Sequence, residues 1–339
     1  MASHFHSLRI QELKKETAKT VSIVFEIPTN LVADFLYQAG QYLTLKATIN
    51  GEEVRRSYSI SSYGTEALQV SCKVVDGGKM STHLVNNIGV DDRIEVMPPM
   101  GNFTLRSVDQ PLVLFAAGSG ITPIFSILKK ALNEGTNSIK LLYGNRSEDE
   151  VIFKSQLEAL RSAHSDRFMV QHFLSDDGER LDSERVQSLV AGISEANYFI
   201  CGPEGMIAAV KDGLEKSNVA ANNINIEYFA SPKTEKEATV ETVVSGEVNE
   251  IIAELDGERH NITLEPGESI LDAANRIGID PPFSCQSGVC TTCKCKVLSG
   301  EVEMENNFGL GEDEAEEGFI LSCISKPTSA GVVVSWDEA

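Results

Sequence analysis

The chain has 339 residues, 42% hydrophobic and 23% charged, a length for two or three domains of ordinary globular composition. No apolar run approaches the roughly 18 residues of a membrane span, and the N-terminal MASHFHSLRIQELKKE lacks the apolar centre of a signal peptide. The net charge of −21 disfavours nucleic-acid binding, which needs basic surface, and seven cysteines, at least four of them with metal-ligand spacing, suit a reducing cytoplasm.

From the N-terminus, SLRIQELKKE, TVSIVFEI, QYLTLKATI, LQVSCKVV and RIEVMPP alternate polar and apolar residues between turn signals at Pro28, Asn50-Gly51, Gly77-Gly78 and Pro98-Pro99. Short strands at this spacing predict an antiparallel barrel over residues 1–107. Two stretches break the pattern. In Arg55-Arg56-Ser57-Tyr58-Ser59, a strand puts Arg56 and Tyr58 on one face. The arginine fork suits a phosphate, the ring can cover a flat heterocycle, and a serine hydroxyl can bond a ring nitrogen. In Gly77-Gly78-Lys79-Met80-Ser81-Thr82, glycines let backbone N–H groups approach an anion, with Ser81-Thr82 as the cap of a short helix. A plain hairpin turn and an ordinary cap would look the same.

Residues 108–232 change to an α/β alternation. The strands PLVLFAAG, SIKLLYG, RFMVQHFL, ANYFICG and NINIEYF are separated by helical ITPIFSILKKALNEG, VIFKSQLEALRSAH, DSERVQSLV and PEGMIAAVKDGLEKS. That order predicts a doubly wound parallel sheet, which binds ligands at the carboxyl ends of its strands. Gly118, Ser119, Gly120, Thr122 and Pro123 join the first strand to its helix, an anion site at a helix N-terminus. Cys201, Gly202, Pro203 and Met206 stand at the fourth strand's exit. A small cysteine there can lie against a nicotinamide, or simply fill the core. Arg146 and Ser147 follow the second strand, where an arginine can pair a 2′-phosphate. Carboxylates at Glu148, Asp149, Glu150, Asp176 and Asp177 oppose that if they point inward.

Residues 233–246 are polar and aperiodic, a linker. Over 247–339 a hairpin at Asp256-Gly257, the helix ESILDAANRIGI, a cysteine loop, a strand-turn-strand CKVLSGEVEME, an acidic helical turn GEDEAEEG, a strand ILSCISKP and GVVVSW follow. Cys285, Cys290 and Cys293 are spaced C-x4-C-x2-C, and Cys323 comes later on a strand. This is the ligand order of a plant-type 2Fe–2S cluster. A four-cysteine zinc site would pair two C-x2-C motifs. Cys295 reads as a spare thiol. Residues 240–339 hold 20 Asp and Glu against 5 Lys and Arg, either a steering surface for a basic partner or plain solubility.

The R-x-Y-S strand, the G-G-x-x-S-T turn, AAGSGITP, CGPEGM and the cysteine spacing together resemble the ferredoxin–NADP reductase superfamily. Within it they resemble reductase components of oxygenase systems, across nearly the whole chain. The resemblance implies a Greek-key flavin barrel, a nucleotide domain and an α+β β-grasp ferredoxin domain. Arg56, Ser57, Tyr58 and Ser59, the segment Lys73-Val74-Val75, and Gly78 to Thr82 would hold FAD, with FMN the alternative. Thr122, Cys201 and Ser59 would stand at the hydride-transfer junction, with Met206 on the dinucleotide path and Phe229 against the flavin. The donor would be NADPH, on Arg146, with NADH possible. A flavin between a two-electron donor and a one-electron cluster makes a chemical sequence. Its acceptor would be a partner oxygenase, diiron and of the phenylacetyl-CoA epoxidase type. Related reductases serve ring-hydroxylating dioxygenases and alkane or fatty-acid hydroxylases. A stand-alone reductase of quinones, ferredoxins or flavodoxins, and a tail that only senses or docks, are the alternatives.

Overall fold

In a computed structural model describing residues 5–193, 195–230 and 250–339, the alternating N-terminal segments form six strands. These are β1 (His6–Thr17), β2 (Thr20–Glu26), β3 (Tyr42–Ile49), β4 (Glu52–Ser59), β5 (Gln69–Lys73) and β6 (Arg93–Val96), with α1 (Lys79–Asn86) before the last. They pair antiparallel in the order β4-β3-β6-β1-β2-β5. An antiparallel bridge between Ile60 and Val70 joins the two edges and closes the barrel. Leu8, Ile10, Ile23, Phe25, Leu43, Leu45 and Val96 fill it, with Met80 and Leu84 of α1. Each such side chain contributes about 1.5–3 kcal/mol by leaving water. The helix starts earlier than Ser81-Thr82. Gly77, at φ +73°, turns the chain, and Gly78 is the N-cap. The Ser81 hydroxyl folds back to accept the Val75 N–H at 3.1 Å.

Next come β7 (Leu112–Ala117), α2 (Ile121–Glu134), β8 (Ile139–Asn145), α3 (Lys154–Ala163), β9 (Phe168–Leu174), α4 (Ser183–Val190), β10 (Asn197–Cys201), α5 (Glu204–Lys216) and β11 (Ile224–Glu227). The strands are parallel in the order β11-β10-β7-β8-β9. Apolar residues on both sheet faces, such as Leu114 against α2 and Phe115 on the opposite side, let helices cover both. The winding reverses between β7 and β10, so their carboxyl ends diverge into a crevice. The second helix begins at Lys154 rather than Val151, because Phe153 takes a left-handed conformation. Residues Phe5–Phe229 form one compact unit; a second runs from Ala230 to Ala339.

In the second unit, the expected linker at 233–246 lies outside the described residues. The rest comprises β12 (Glu250–Leu255), β13 (Glu258–Thr263), α6 (Ile270–Arg276), β14 (Lys294–Ser299), β15 (Val302–Met304), α7 (Glu312–Glu316), β16 (Phe319–Leu321), β17 (Ser325–Pro327) and β18 (Val332–Ser335). One sheet has the order β13-β12-β18-β14-β16. Asp256 and Gly257, both at positive φ, make the hairpin turn. Ser269 caps α6 with a capping box to Asp272. Ala273 and Ala274 of that helix pack with Trp336, Val332 and Val334 in the core. CKVLSGEVEME forms the expected strand, turn and strand, with β15 paired to β17. One expectation differs. Cys323 lies on a 3-10 turn over Ser322–Ile324, not on a strand.

Candidate flavin, nucleotide and iron–sulfur sites

β4 presents Arg56 to solvent, with its Nη1 donating to the Arg55 carbonyl at 2.6 Å. Ser57 is half-buried, and Tyr58 packs its ring against the barrel core. The Ile60–Val70 bridge puts Tyr58 opposite Cys72 on β5. Burial, then the Cys72 thiol, push the Tyr58 hydroxyl up; burial pushes Cys72 up to about 12. α1 packs on β3, β4 and β5, and its first turn, Lys79 to Thr82, carries no acidic residue. A Cβ on Gly78 would come within 2.6 Å of the Ser81 hydroxyl. A cation, a ring and a helix N-terminus therefore share one side of the barrel. That donor set fits a flat cofactor bearing phosphate.

Lys73, at the end of β5, reaches the nucleotide domain: its Nζ pairs with Glu150 at 2.8 Å. Val74 donates its N–H to the Lys19 carbonyl, and Val75 is exposed. At the crevice, Gly118 (φ +53°) leads through a 3-10 turn of Gly118–Gly120 into α2. Thr122 is buried and donates to the Ser119 carbonyl at 3.0 Å. A Cβ on Gly120 would stand 2.1 Å from the Cys201 carbonyl oxygen. A Cβ on Gly202 would meet the Met206 methyl at 2.4 Å. The exits of β7 and β10 thus touch backbone to backbone. Pro203 is the N-cap of α5.

Glu227, which opens the Glu227-Tyr228-Phe229 stretch resembling the family's E-x-F terminus, is given no role by the sequence. It ends β11 in register with Cys201. The Ser59 hydroxyl donates to its Oε2 at 3.5 Å, so the barrel and the nucleotide sheet meet there. Burial lifts the Glu227 carboxyl to about 8, against the lowering effect of Ser59. Burial, then Glu227, push the Cys201 thiol well up. Ser59 and Cys201 are buried and Glu227 half-buried beside the loop that holds Thr122, and burial favours the uncharged forms of Cys201 and Glu227. The available signal was position: a carboxylate at the carboxyl edge of a doubly wound sheet. Phe229 follows and is 46% exposed. Arg146 is exposed and lies 3.4 Å from Asp176 Oδ1; Ser147 bonds Asp149.

In the second unit, Cys285, Cys290 and Cys293 share the loop between α6 and β14. The Cys285 sulfur accepts N–H groups from Ser287 and Cys290, each at 3.4 Å. Gly288, at φ +73°, has no room for a side chain: a Cβ would stand 2.8 Å from the Asn306 carbonyl. Ser322 donates both its N–H (3.1 Å) and its hydroxyl (2.9 Å) to the Cys293 carbonyl, docking the turn that carries Cys323. Cys285 is drawn down chiefly by a bond from Cys290, and Cys323 is drawn down chiefly by one from Cys293, with Cys285 also acting on Cys323. Among the described residues no three His, Cys, Asp or Glu converge on one ion position. Four cysteine thiols, one of them accepting two backbone N–H groups, are a donor set that fits an iron–sulfur cluster. Cys295 is buried in the core beside Ile320 and Val334.

Comparison with known proteins matches residues 7–105 to an oxidoreductase FAD-binding domain, 114–212 to an oxidoreductase NAD-binding domain, and 253–328 to a 2Fe–2S iron–sulfur cluster binding domain. The chain is 37% identical to a subunit of the 1,2-phenylacetyl-CoA epoxidase of Escherichia coli (strain K12), covering 98% of each. It is 36% identical to the ferredoxin reductase component of 3-ketosteroid-9-alpha-monooxygenase of Mycobacterium tuberculosis (strain ATCC 25618 / H37Rv), covering 100% of this chain and 98% of the relative. Among solved structures, phthalate dioxygenase reductase superposes with a TM-score of 0.63 at 24% identity, over 98% of each chain. Among the described residues, no helix is long and apolar enough to cross a membrane.

Proposed function

The chain belongs to the family of oxygenase reductase components built from FAD-binding, NAD-binding and 2Fe–2S domains, and on that premise we propose the following assignment. It takes electrons from a reduced pyridine nucleotide and delivers them singly to a separate oxygenase in the cytoplasm. The observation that carries this is the co-occurrence of three sites: the barrel face of Arg56 and Tyr58, the crevice of Gly118–Gly120 and Cys201, and the thiols of Cys285, Cys290, Cys293 and Cys323. A bound flavin converts a two-electron donor into one-electron transfers, which a bound cluster accepts. We assign the flavin to residues 1–107, the nucleotide to 108–232 and the cluster to 247–339.

Arg56, Ser57 and the first turn of α1, from Gly78 through Lys79, Met80 and Ser81 to Thr82, hold the flavin phosphates, with Lys73 to Val75 as the wall beside them. Tyr58 would cover the flavin ring, and Ser59 would hydrogen-bond its reacting edge. Gly118, Ser119, Gly120, Gly202, Pro203 and Met206 shape the nucleotide path. Thr122 and Cys201 would keep the nicotinamide side small and uncharged, and Phe229 would contact the flavin. A protonated Glu227, bonded by Ser59, keeps negative charge away from the transferring hydride. Cys285, Cys290, Cys293 and Cys323 would hold the iron–sulfur cluster, which would accept single electrons.

For the donor we propose NADPH, with Arg146 and Ser147 meeting the 2′-phosphate. The contact of Asp176 with Arg146 favours a second reading, NADH, because a carboxylate there repels a phosphate. Asp176→Ala should raise the NADPH-to-NADH ratio of kcat/KM about tenfold, one charge contact's worth; an unchanged ratio removes Arg146 from nucleotide choice. For the acceptor we propose a diiron oxygenase of the phenylacetyl-CoA epoxidase type. A ketosteroid monooxygenase partner is the second reading, since that relative is nearly as similar. Reconstitution with each purified oxygenase tests it: NADPH-dependent product from the first and not the second is expected, and the reverse overturns the choice.

A further inference from the structure

The helix α2 starts at the nucleotide crevice, with Thr122 in its first turn. One turn later stands Ser126, fully buried. A helical serine usually returns its hydroxyl to the carbonyl four residues back. Ser126 instead donates to the carbonyl of Ser62, on the flavin barrel, at 2.7 Å. Ser62 lies three residues beyond Ser59, and it is rigidly held. Its hydroxyl accepts from Tyr37 Oη at 2.9 Å and from the Gln69 N–H at 3.0 Å. The neighbouring Ser61 N–H bonds the Gln69 carbonyl at 2.8 Å. The same side of α2 carries Lys129, paired with Glu66, and Glu134, bonded by the Tyr63 hydroxyl.

The chain between Ser59 and Ser62 is short and hydrogen-bonded at each step: Ile60 N–H also bonds the Gln41 carbonyl at 2.8 Å. A shift of Ser62 is therefore transmitted to Ser59, and a shift of α2 to Thr122. These two residues border the flavin and nucleotide sides of the junction. The buried Ser126 bond is the inner fastening between them; the Lys129 and Glu134 contacts sit farther out on the helix.

We propose that Ser126 is a positioning residue for hydride transfer, clamping the nucleotide helix to the flavin strand through Ser62. The inference rests on the proposed assignment of the junction to hydride transfer. Hydride transfer is steeply sensitive to misplacement, since a 1 Å error costs about a hundredfold. Loosening one buried bond should cost less than that.

The test is rapid mixing of the flavin- and cluster-loaded protein with NADPH and with NADH, without oxygen, for wild type, Ser126→Ala and Ser126→Thr. In Ser126→Ala the limiting rate of flavin reduction should fall about tenfold. Its nucleotide Kd and flavin potential should stay at wild-type values, and Ser126→Thr, which keeps the hydroxyl, should recover the rate. An unchanged limiting rate overturns the proposal. So does a fall accompanied by a shifted flavin potential, which marks general loosening of the barrel. If Ser126→Ala does not fold, Ser126→Cys, which fills the site but weakens the bond to the Ser62 carbonyl, decides: a reduced limiting rate at unchanged potential supports the clamp, and a wild-type rate overturns it. If neither nucleotide reduces the wild-type flavin, the assignment of the junction itself has failed.

Discussion

Gly120→Ala is the most incisive single perturbation of the crevice. Gly120 has φ −61°, an ordinary helical value, so alanine introduces no backbone strain. Its effect is purely one of space. The new Cβ would lie 2.1 Å from the Cys201 carbonyl oxygen, 2.4 Å from its carbon and 2.8 Å from the Gly202 nitrogen. Ordinary contact begins at 3.4 Å, so the exits of β7 and β10 must part by up to 1.3 Å, the difference between 3.4 and 2.1. All three atoms are backbone, and no side chain can swing away to relieve them. Overpacking of this kind costs about 1–3 kcal/mol of stability. Parting the strands by about 1 Å also moves Cys201 and Glu227 relative to Thr122, a displacement that costs about a hundredfold in rate. The assay is anaerobic stopped-flow reduction of the flavin at saturating nucleotide. Gly205→Ala is the control: Gly205 lies in α5 with nothing within 4 Å of a new Cβ, and should behave as wild type. A folded Gly120→Ala protein that reduces its flavin within twofold of wild type would refute the reasoning.

Glu227 predicts a pH signature. Its carboxyl, lifted from 4.5 to about 8, holds a proton in the folded state that the unfolded chain has lost. The stability it contributes is fully present below pH 4.5 and is lost as pH rises to about 8. The lift corresponds to at most about 5 kcal/mol, and residual solvent contact reduces this to roughly 2 kcal/mol. Denaturation of the flavin-bearing unit, followed by flavin fluorescence between pH 5 and 9, should show that loss in wild type and not in Glu227→Gln; parallel curves count against a neutral carboxyl. Cys323→Ser should abolish reduction of a one-electron acceptor that draws from the cluster while leaving flavin reduction by NADPH at the wild-type rate; loss of both would reject the division of labour between the units. The 20-to-5 acidic excess of residues 240–339 should make partner reduction slow as salt rises from 0.05 to about 0.5 M, through screening, and a flat salt profile would reduce that charge to a solubility feature.

Much of this was legible in the sequence because it depends on local chemistry. Strand alternation, the β/α alternation, the Asp256-Gly257 turn and the C-x4-C-x2-C spacing each encode structure within a few residues. What the sequence left open arises from non-local contact. The partner of β15 is β17, two three-residue strands that meet only after folding. Cys323 rides a 3-10 turn because Ser322 is held by the distant Cys293 carbonyl. Glu227 has nothing unusual beside it in the chain. Its raised carboxyl is made by Ser59, Cys201 and the burial of their meeting point. Ser126 likewise looks like one more helical serine until Ser62 is brought to it.

The most direct test of the whole assignment is to mix the loaded wild-type protein anaerobically with NADPH and follow the flavin and cluster absorbances together. The account predicts that both bleach, the cluster no earlier than the flavin and at a rate sufficient for turnover with a partner oxygenase. A cluster that stays oxidised while the flavin is fully reduced would contradict it, leaving Cys285, Cys290, Cys293 and Cys323 outside the electron path.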